Sequence, residues 1–287
     1  MKTSHSWEKW MFCLLLTLVA CKAPALGEIT SPTIALPAAT ASPVSTFFTP
    51  TSSPTAARPV PTRQLTPTPG LRLCSPFPGY NQADLVEAIS NPFNPPPPGS
   101  DDPHQAVDLA VQQNGMALAG SPVQAVLGGQ VAGVIEDRFP YGNALFVEIP
   151  LEEVPLVWQR QLQAPTLAPT LEPSPVLTCP AITPLPDWDF ERRSLYLLYA
   201  HLGEKPAYKA DERIECGATI GSIGQSGNAL NPHLHLEVRI GPAGARWKSM
   251  AHYETRATAE EMFNYCTWRV SGTFQLVDPM RLLSLLP

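Results

Sequence analysis

The sequence predicts a mostly β domain of antiparallel sheets, beginning well inside the chain, and three observations carry that expectation. From Cys74 onward apolar residues come in short runs punctuated by Gly and Pro, with helix-like spacing only over 82–90 and 257–265. Two stretches, 122–134 and 213–224, share one cadence that reads as a strand, a glycine turn and a second strand. Finally, Asn231-Pro232-His233-Leu234-His235-Leu236-Glu237-Val238-Arg239 alternates strictly. Residues two apart on a strand share a face, so His233, His235 and Glu237 fall on one side, with Leu234, Leu236, Val238 and Ile240 on the side that can be buried.

The elements follow in chain order. Residues 1–20 place Lys2 and Lys9 ahead of the apolar run Met11 to Ala20, which is shorter than the ~20 residues a spanning helix needs and fits a secretory signal peptide. Leu18-Val19-Ala20-Cys21 fits a bacterial lipobox, in which cleavage after the small Ala20 leaves Cys21 as a lipidated N-terminus. Glu8, inside the basic leader, keeps open an ordinary signal peptide with a spare cysteine. Residues 21–72 are Pro, Thr, Ser and Ala with few large apolar side chains, too little buriable surface to offset the entropy of ordering. They read as a linker which, if polyproline-like at ~3.1 Å per residue, would reach roughly 150 Å from a membrane.

The remainder, 73–287, holds Cys74, Cys179, Cys216 and Cys266, an even number in a chain whose leader sends it to an oxidising compartment. Three pairings are open; the expectation is Cys179 with Cys216 and Cys74 with Cys266, stapling an insertion and the N-terminal edge. None has CxxC spacing, which argues against a zinc-thiolate cluster. The formal net charge of -6 argues against a nucleic-acid partner, whose binding draws on clustered Lys and Arg.

The glycine-paced hairpins also suit a biotinyl or lipoyl carrier, but such a carrier modifies a lysine at a hairpin tip and Gly128-Gly129 holds none. Residues 145–149 and 195–200 read as neighbouring strands separated by a stretch rich in Pro and Leu, unusual for a loop in a compact domain. Residues 150–193 are therefore taken as an insertion, and 241–275 as a second, both with short helices. In the second, Trp247, Tyr253, Phe263, Tyr265 and Trp268 either cover a groove edge or form a satellite core.

The chemistry lies in the histidines. His5 is in the leader and His252 stands alone, leaving His104, His201, His233 and His235 as candidates for one site. His104-Gln105-Ala106-Val107-Asp108 puts an imidazole and a carboxylate four apart, a spacing that can converge on a metal. Tyr199-Ala200-His201-Leu202 ends an apolar strand before Gly203, where a side chain can emerge into a cleft. With His233 and His235 these give four imidazoles and a carboxylate, enough for three zinc ligands and two acid/base groups around an open position.

On these residues the chain resembles the lysostaphin-type zinc endopeptidases of peptidoglycan. The family signatures are His-x-x-x-Asp, Tyr-x-His-Leu and Pro-His-Leu-His, and all three occur in order, with Tyr141-Gly142-Asn143, Gly224-Gln225-Ser226-Gly227 and Val277-Asp278-Pro279 at fitting places. The resemblance implies a fold similar to a duplicated hybrid motif and a single zinc ion bound by His104, Asp108 and His235. It further implies catalytic roles for His201 and His233 beside the attacking water and the scissile carbonyl. Glu237 either hydrogen-bonds a ligand imidazole or pairs with Arg239 or another surface cation; Asn143 and Asn228 either contact substrate or serve turns. Ala106 stands where the family usually has Gly, Leu236 replaces a common Phe, and residues 91–98 lack the Tyr that some members place before the first zinc histidine. The expected protein is an extracytoplasmic, membrane-anchored lipoprotein that hydrolyses peptide bonds in peptidoglycan stems or cross-bridges. Its alternatives are a non-catalytic wall-binding or hydrolase-activating module on the same fold, and a structural zinc domain.

Overall fold

The computed structural model describes residues 70–97, 99–163, 177, 179–181, 186 and 188–287, all within one compact unit, Gln64–Pro287. The expected signal peptide, Cys21 and the linker as far as residue 69 lie outside the described residues. The chain opens with α1 (Gln82–Glu87), β1 (Ile89–Asn91), β2 (Val107–Leu109) and the small pair β3 (Gln112–Gln113) and β4 (Met116–Ala117). It continues through β5 (Pro122–Gln124), β6 (Gly129–Arg138), β7 (Gly142–Pro150), a single 3-10 turn, α2 (Leu156–Leu162) and β8 (Asp189–Leu202). The last third holds β9 (Arg213–Ile214), β10 (Thr219–Ser222), β11 (Leu234–Ala243), α3 (Ala259–Arg269), β12 (Gln275–Val277) and α4 (Pro279–Leu283).

The architecture is mostly β and antiparallel, as the sequence predicts. An eight-stranded sheet runs β1-β2-β11-β8-β7-β6-β9, with β12 pairing the far half of β11. The neighbours expected at 145–149 and 195–200 do pair, as β7 and β8. Alternation along β11 divides two cores. Leu234, Leu236 and Val238 join Leu197, Tyr199, Leu145 and Val147 on one face, each fully buried aliphatic side chain contributing about 1.5–3 kcal/mol. On the opposite face Phe146, Tyr196 and Leu198 pack under Trp247, Trp268 and Phe274 from the second expected insertion. Helix α3 starts at a capping box, Thr258 with Glu261, and Arg138 of β6 clamps Glu261 through its Nε and Nη2 at 2.8 and 2.7 Å.

Two expectations are corrected. The glycine-paced stretches do not fold back on themselves; they pair with each other, β5 with β10 and β6 with β9. Gly217 turns the chain with φ 81°, but Gly128 and Gly129 instead admit a neighbour: a Cβ on Gly128 would lie 3.2 Å from the Ile214 carbonyl, and one on Gly129 would lie 2.5 Å from that of Glu148. The disulfides join Cys74 to Cys216 and Cys179 to Cys266, not the pairs expected. Cys74 lies along the cross-paired stretches, its amide bonded to the Val126 carbonyl at 2.9 Å, which brings it to Cys216. Cys266 sits on α3, over the other face of the sheet, so the partner it meets is Cys179 of the first insertion.

Candidate metal centre

The register of three strands assembles the centre. Asp108 of β2 is the direct partner of His235 on β11, and His235 is in turn the partner of Ala200 on β8. His104 Nε2 lies 3.2 Å from Asp108 Oδ1, and His235 Nδ1 lies 2.9 Å from the same oxygen. Donors bonded tetrahedrally to zinc at ~2.0–2.1 Å stand about 3.4 Å apart. Two imidazole nitrogens and one carboxylate oxygen at these separations therefore fit that ion in geometry and in ligand type. The other oxygen of Asp108 accepts from Asn91 Nδ2 at 3.2 Å, which holds Oδ1 towards the centre.

Outer partners fix each ring. His104 Nδ1 bonds the Pro92 carbonyl at 3.0 Å, His201 Nδ1 that of Ser226 at 2.8 Å, and His233 Nδ1 that of Asn231 at 2.7 Å. A carbonyl can only accept, so all three carry hydrogen on Nδ1 and turn Nε2 to the site. His235 is reversed: its Nε2 faces Glu237 Oε1 at 3.2 Å and its Nδ1 faces the centre.

His201 reaches the site against strand alternation. Tyr199 and Leu202 both belong to the core on the opposite face, yet the His201 ring stands 4.9 Å from His233 and 5.3 Å from His235. Between Asn143↔Leu202 and Leu145↔Tyr199 the ladder carries an extra residue on β8, and His201 has φ 60°. This bulge turns the side chain over, at a conformational cost of about 1–3 kcal/mol.

Glu237 is fully buried and so is no surface partner; it faces the His235 imidazole and pairs with Arg239, itself buried. Its Oε2 accepts from Arg239 and from Trp268 Nε1 at 2.8 Å; its Oε1 accepts from Tyr141 at 2.9 Å and Arg269 at 2.7 Å. Burial opposes its charge, but Arg269 and Arg239 outweigh that and hold its carboxyl well below the usual range. Burial likewise opposes ionisation of Asp108, and the facing His104 and His235 imidazoles overcome it, so its pKa is also lowered. His201 goes the other way: burial, reinforced by His235 and His233, lowers it to about 3, and the ring stays neutral.

These groups line a groove of about 1030 Å³ whose rim includes Met116, Leu230 and Tyr253. Asn228 lines it as well. Asn143 does not: its side chain accepts from the Asp137 amide at 3.0 Å and donates to the Leu202 carbonyl at 3.3 Å, serving the β6–β7 turn. Of the aromatics in 241–275, Trp247, Tyr265 and Trp268 belong to the satellite core, while Tyr253 is 58% exposed at the groove. Sequence reasoning missed Asn91, Ser226, Tyr141, Trp268 and Arg269 as partners of the site. Only Tyr141 and Ser226, inside the quoted glycine motifs, carried a signal.

No family model matches the chain, and no curated protein matches it. Among solved structures it is similar to the catalytic domain of the antimicrobial peptidase lysostaphin from Staphylococcus simulans, at 17% identity and TM-score 0.34, over 71% of this chain and 98% of that one. A mutant catalytic domain of the prophage-encoded M23 protein EnpA from Enterococcus faecalis matches at 16% identity and TM-score 0.32, over 59% and 92%. A zinc containing peptidase from Vibrio cholerae matches at 22% identity and TM-score 0.30, over 58% of this chain and 36% of that one.

Proposed function

We propose that the chain is a zinc-dependent endopeptidase that hydrolyses peptide bonds of peptidoglycan stems or cross-bridges. The observation carrying this reading is the convergence of five groups where three ligands suffice: the sequence motifs assign one set, His104, Asp108 and His235, to the metal, and a second set, His201 and His233, stands beside it, with His233 Nε2 3.5 Å from Asp108 Oδ1 and its ring 4.9 Å from that of His201. A structural metal site has no use for the second set. His104, Asp108 and His235 would hold the zinc, which when bound would supply a Lewis acid for the scissile carbonyl and lower the pKa of a water. His104 presents Nε2 and His235 presents Nδ1, each ring oriented by its outer partner. One imidazole of the pair His201 and His233 accepts the proton of the attacking water at Nε2, and that proton passes to the leaving amine. His233, its side chain 13% exposed, is the one nearer solvent.

The extracytoplasmic assignment draws on the two disulfides; anchoring through Cys21 and peptidoglycan as substrate draw on the sequence motifs. The test is to measure zinc content and the release of new amino groups from peptidoglycan by the full chain and by His233→Ala. The expected result is about one zinc in both and release only by the parent. A parent that holds zinc and binds the wall without cutting it would instead establish a non-catalytic wall-binding module.

A further inference from the structure

Arg269, the last residue of α3, has a side chain only 8% exposed, and its guanidinium ends on both ligand-bearing segments. Nη1 donates to Glu237 Oε1 at 2.7 Å, the oxygen that faces His235 Nε2. Nη2 donates to the Asp101 carbonyl at 2.7 Å, three residues before His104. Gln105, next to His104, donates back to the Arg269 carbonyl at 3.1 Å. The guanidinium also lies over the rings of Tyr141 and Tyr265 at 5.9 and 5.7 Å, and the Tyr265 hydroxyl reaches the Asp101 carboxylate at 2.5 Å. Arg239 grips the other oxygen of Glu237 but sits on β11 itself, beside the residue it holds. Arg269 comes from the second insertion and so can act from outside the sheet.

Resting on the zinc reading above, we infer that Arg269 is a positioning residue for the metal centre. It holds His235 through Glu237 and His104 through the Asp101 carbonyl, so that one planar fork sets the separation of two imidazoles. Arginine suits the task because its donors have fixed relative directions; a lysine ammonium can satisfy one of the two acceptors and leaves the other buried and unmet.

The experiment compares full-length Arg269→Lys and Arg269→Met with the parent. Arg246→Met serves as control, since Arg246 also lies in 241–275 but bonds Glu148, Asp211 and Gln130. Three quantities are read: the zinc dissociation constant by chelator competition, the absorption spectrum of the cobalt(II)-substituted protein, and the thermal midpoint of the metal-free chain. Both Arg269 variants are expected to bind zinc about 10–100-fold more weakly with an altered cobalt spectrum, the lysine variant less so, while Arg246→Met keeps the parent's affinity and spectrum. Parental affinity and spectrum in Arg269→Lys overturn the inference. So does a lowered midpoint with affinity intact, which marks a merely structural role, or a raised KM with affinity intact, which marks a substrate contact. A parent that binds no metal overturns this inference and the hydrolase reading together. A parent that binds zinc without cutting peptidoglycan ends the hydrolase reading alone, and the affinity comparison still decides for or against Arg269.

Discussion

The two halves of the centre are held in different ways. Asp108 is backed by Asn91 and His235 by the buried, ionised Glu237 with its two arginines, whereas His201 and His233, like His104 on Pro92, lean on neutral carbonyls, those of Ser226 and Asn231 in the segment between β10 and β11. On the roles proposed above, the difference matters at His235, the ring with a carboxylate behind it. A carboxylate behind an imidazole raises the basicity of the opposite nitrogen and fixes its tautomer, which suits a ligand that never changes state. A carbonyl accepts from Nδ1–H whether the ring is neutral or cationic, so it orients the ring without trapping a proton, which suits a group that takes a proton and gives it up. If the division is right, each half can be broken without the other.

The largest effect is expected from Asp108→Asn. The substitution keeps size and shape but removes the one anionic donor, whose Oδ1 lies within 3.2 Å of both ligand imidazoles. Zinc affinity should fall by at least about 100-fold and peptidoglycan cleavage with it, while the carbonyl bonds of His201 and His233 have no reason to change. Chelator competition on the parent and the variant measures the loss, and an unchanged dissociation constant would remove Asp108 from the ligand set.

Part of each half was legible in the sequence, for a physical reason. Strand alternation is local, so placing His233, His235 and Glu237 on one face needs only the period of a strand, and β11 has that period. The helix-like spacing over 257–265 was likewise readable, and α3 forms at Ala259–Arg269. What could not be read depends on contacts between distant segments. Cys266 meets Cys179 only because α3 folds over the sheet, and β5 finds β10 only through cross-pairing of two similar stretches. His201 defeats pattern reasoning outright, since its side reverses at a bulge that leaves no mark in the sequence beyond the Gly203 that follows. Arg269 looks in sequence like any cation at the end of a helix.

The other half should fail separately in Gly142→Ala. Gly142 has φ 67°, and a Cβ there would lie 2.3 Å from Ser226 Oγ and 2.5 Å from the Gly227 amide. The segment carrying the carbonyl partner of His201 would have to move. A stability cost of about 1–3 kcal/mol is expected, with amine release slowed by at least about 10-fold because proton transfer depends on ring position, and zinc content unchanged. Gly79→Ala is the control: φ is 77° but nothing lies within 4 Å, so it carries the backbone strain without the displacement. If Gly142→Ala lost zinc and activity in proportion, the two halves would not be separable.

The smallest effect tests whether the clamp on α3 contributes through charge. Glu261 sits about two turns before Arg269, and burial opposes its ionisation, but the Arg138 fork and the Thr258 amide and hydroxyl outweigh that and lower it from 4.5 to about 2. Because the folded value lies below the unfolded one, the stabilisation is complete above about pH 4.5 and is lost as the pH falls towards 2. Glu261→Gln should therefore cost about 1–2 kcal/mol at neutral pH, the fork being charge-assisted but near the surface, and the gap to the parent should close on acidification. Thermal midpoints of the metal-free chains across pH 2–7 read this directly. Curves that stay parallel over the whole range would mean that α3 keeps its place by packing alone, and that the arginine fork on Glu261, unlike the pair gripping Glu237, holds nothing the site depends on.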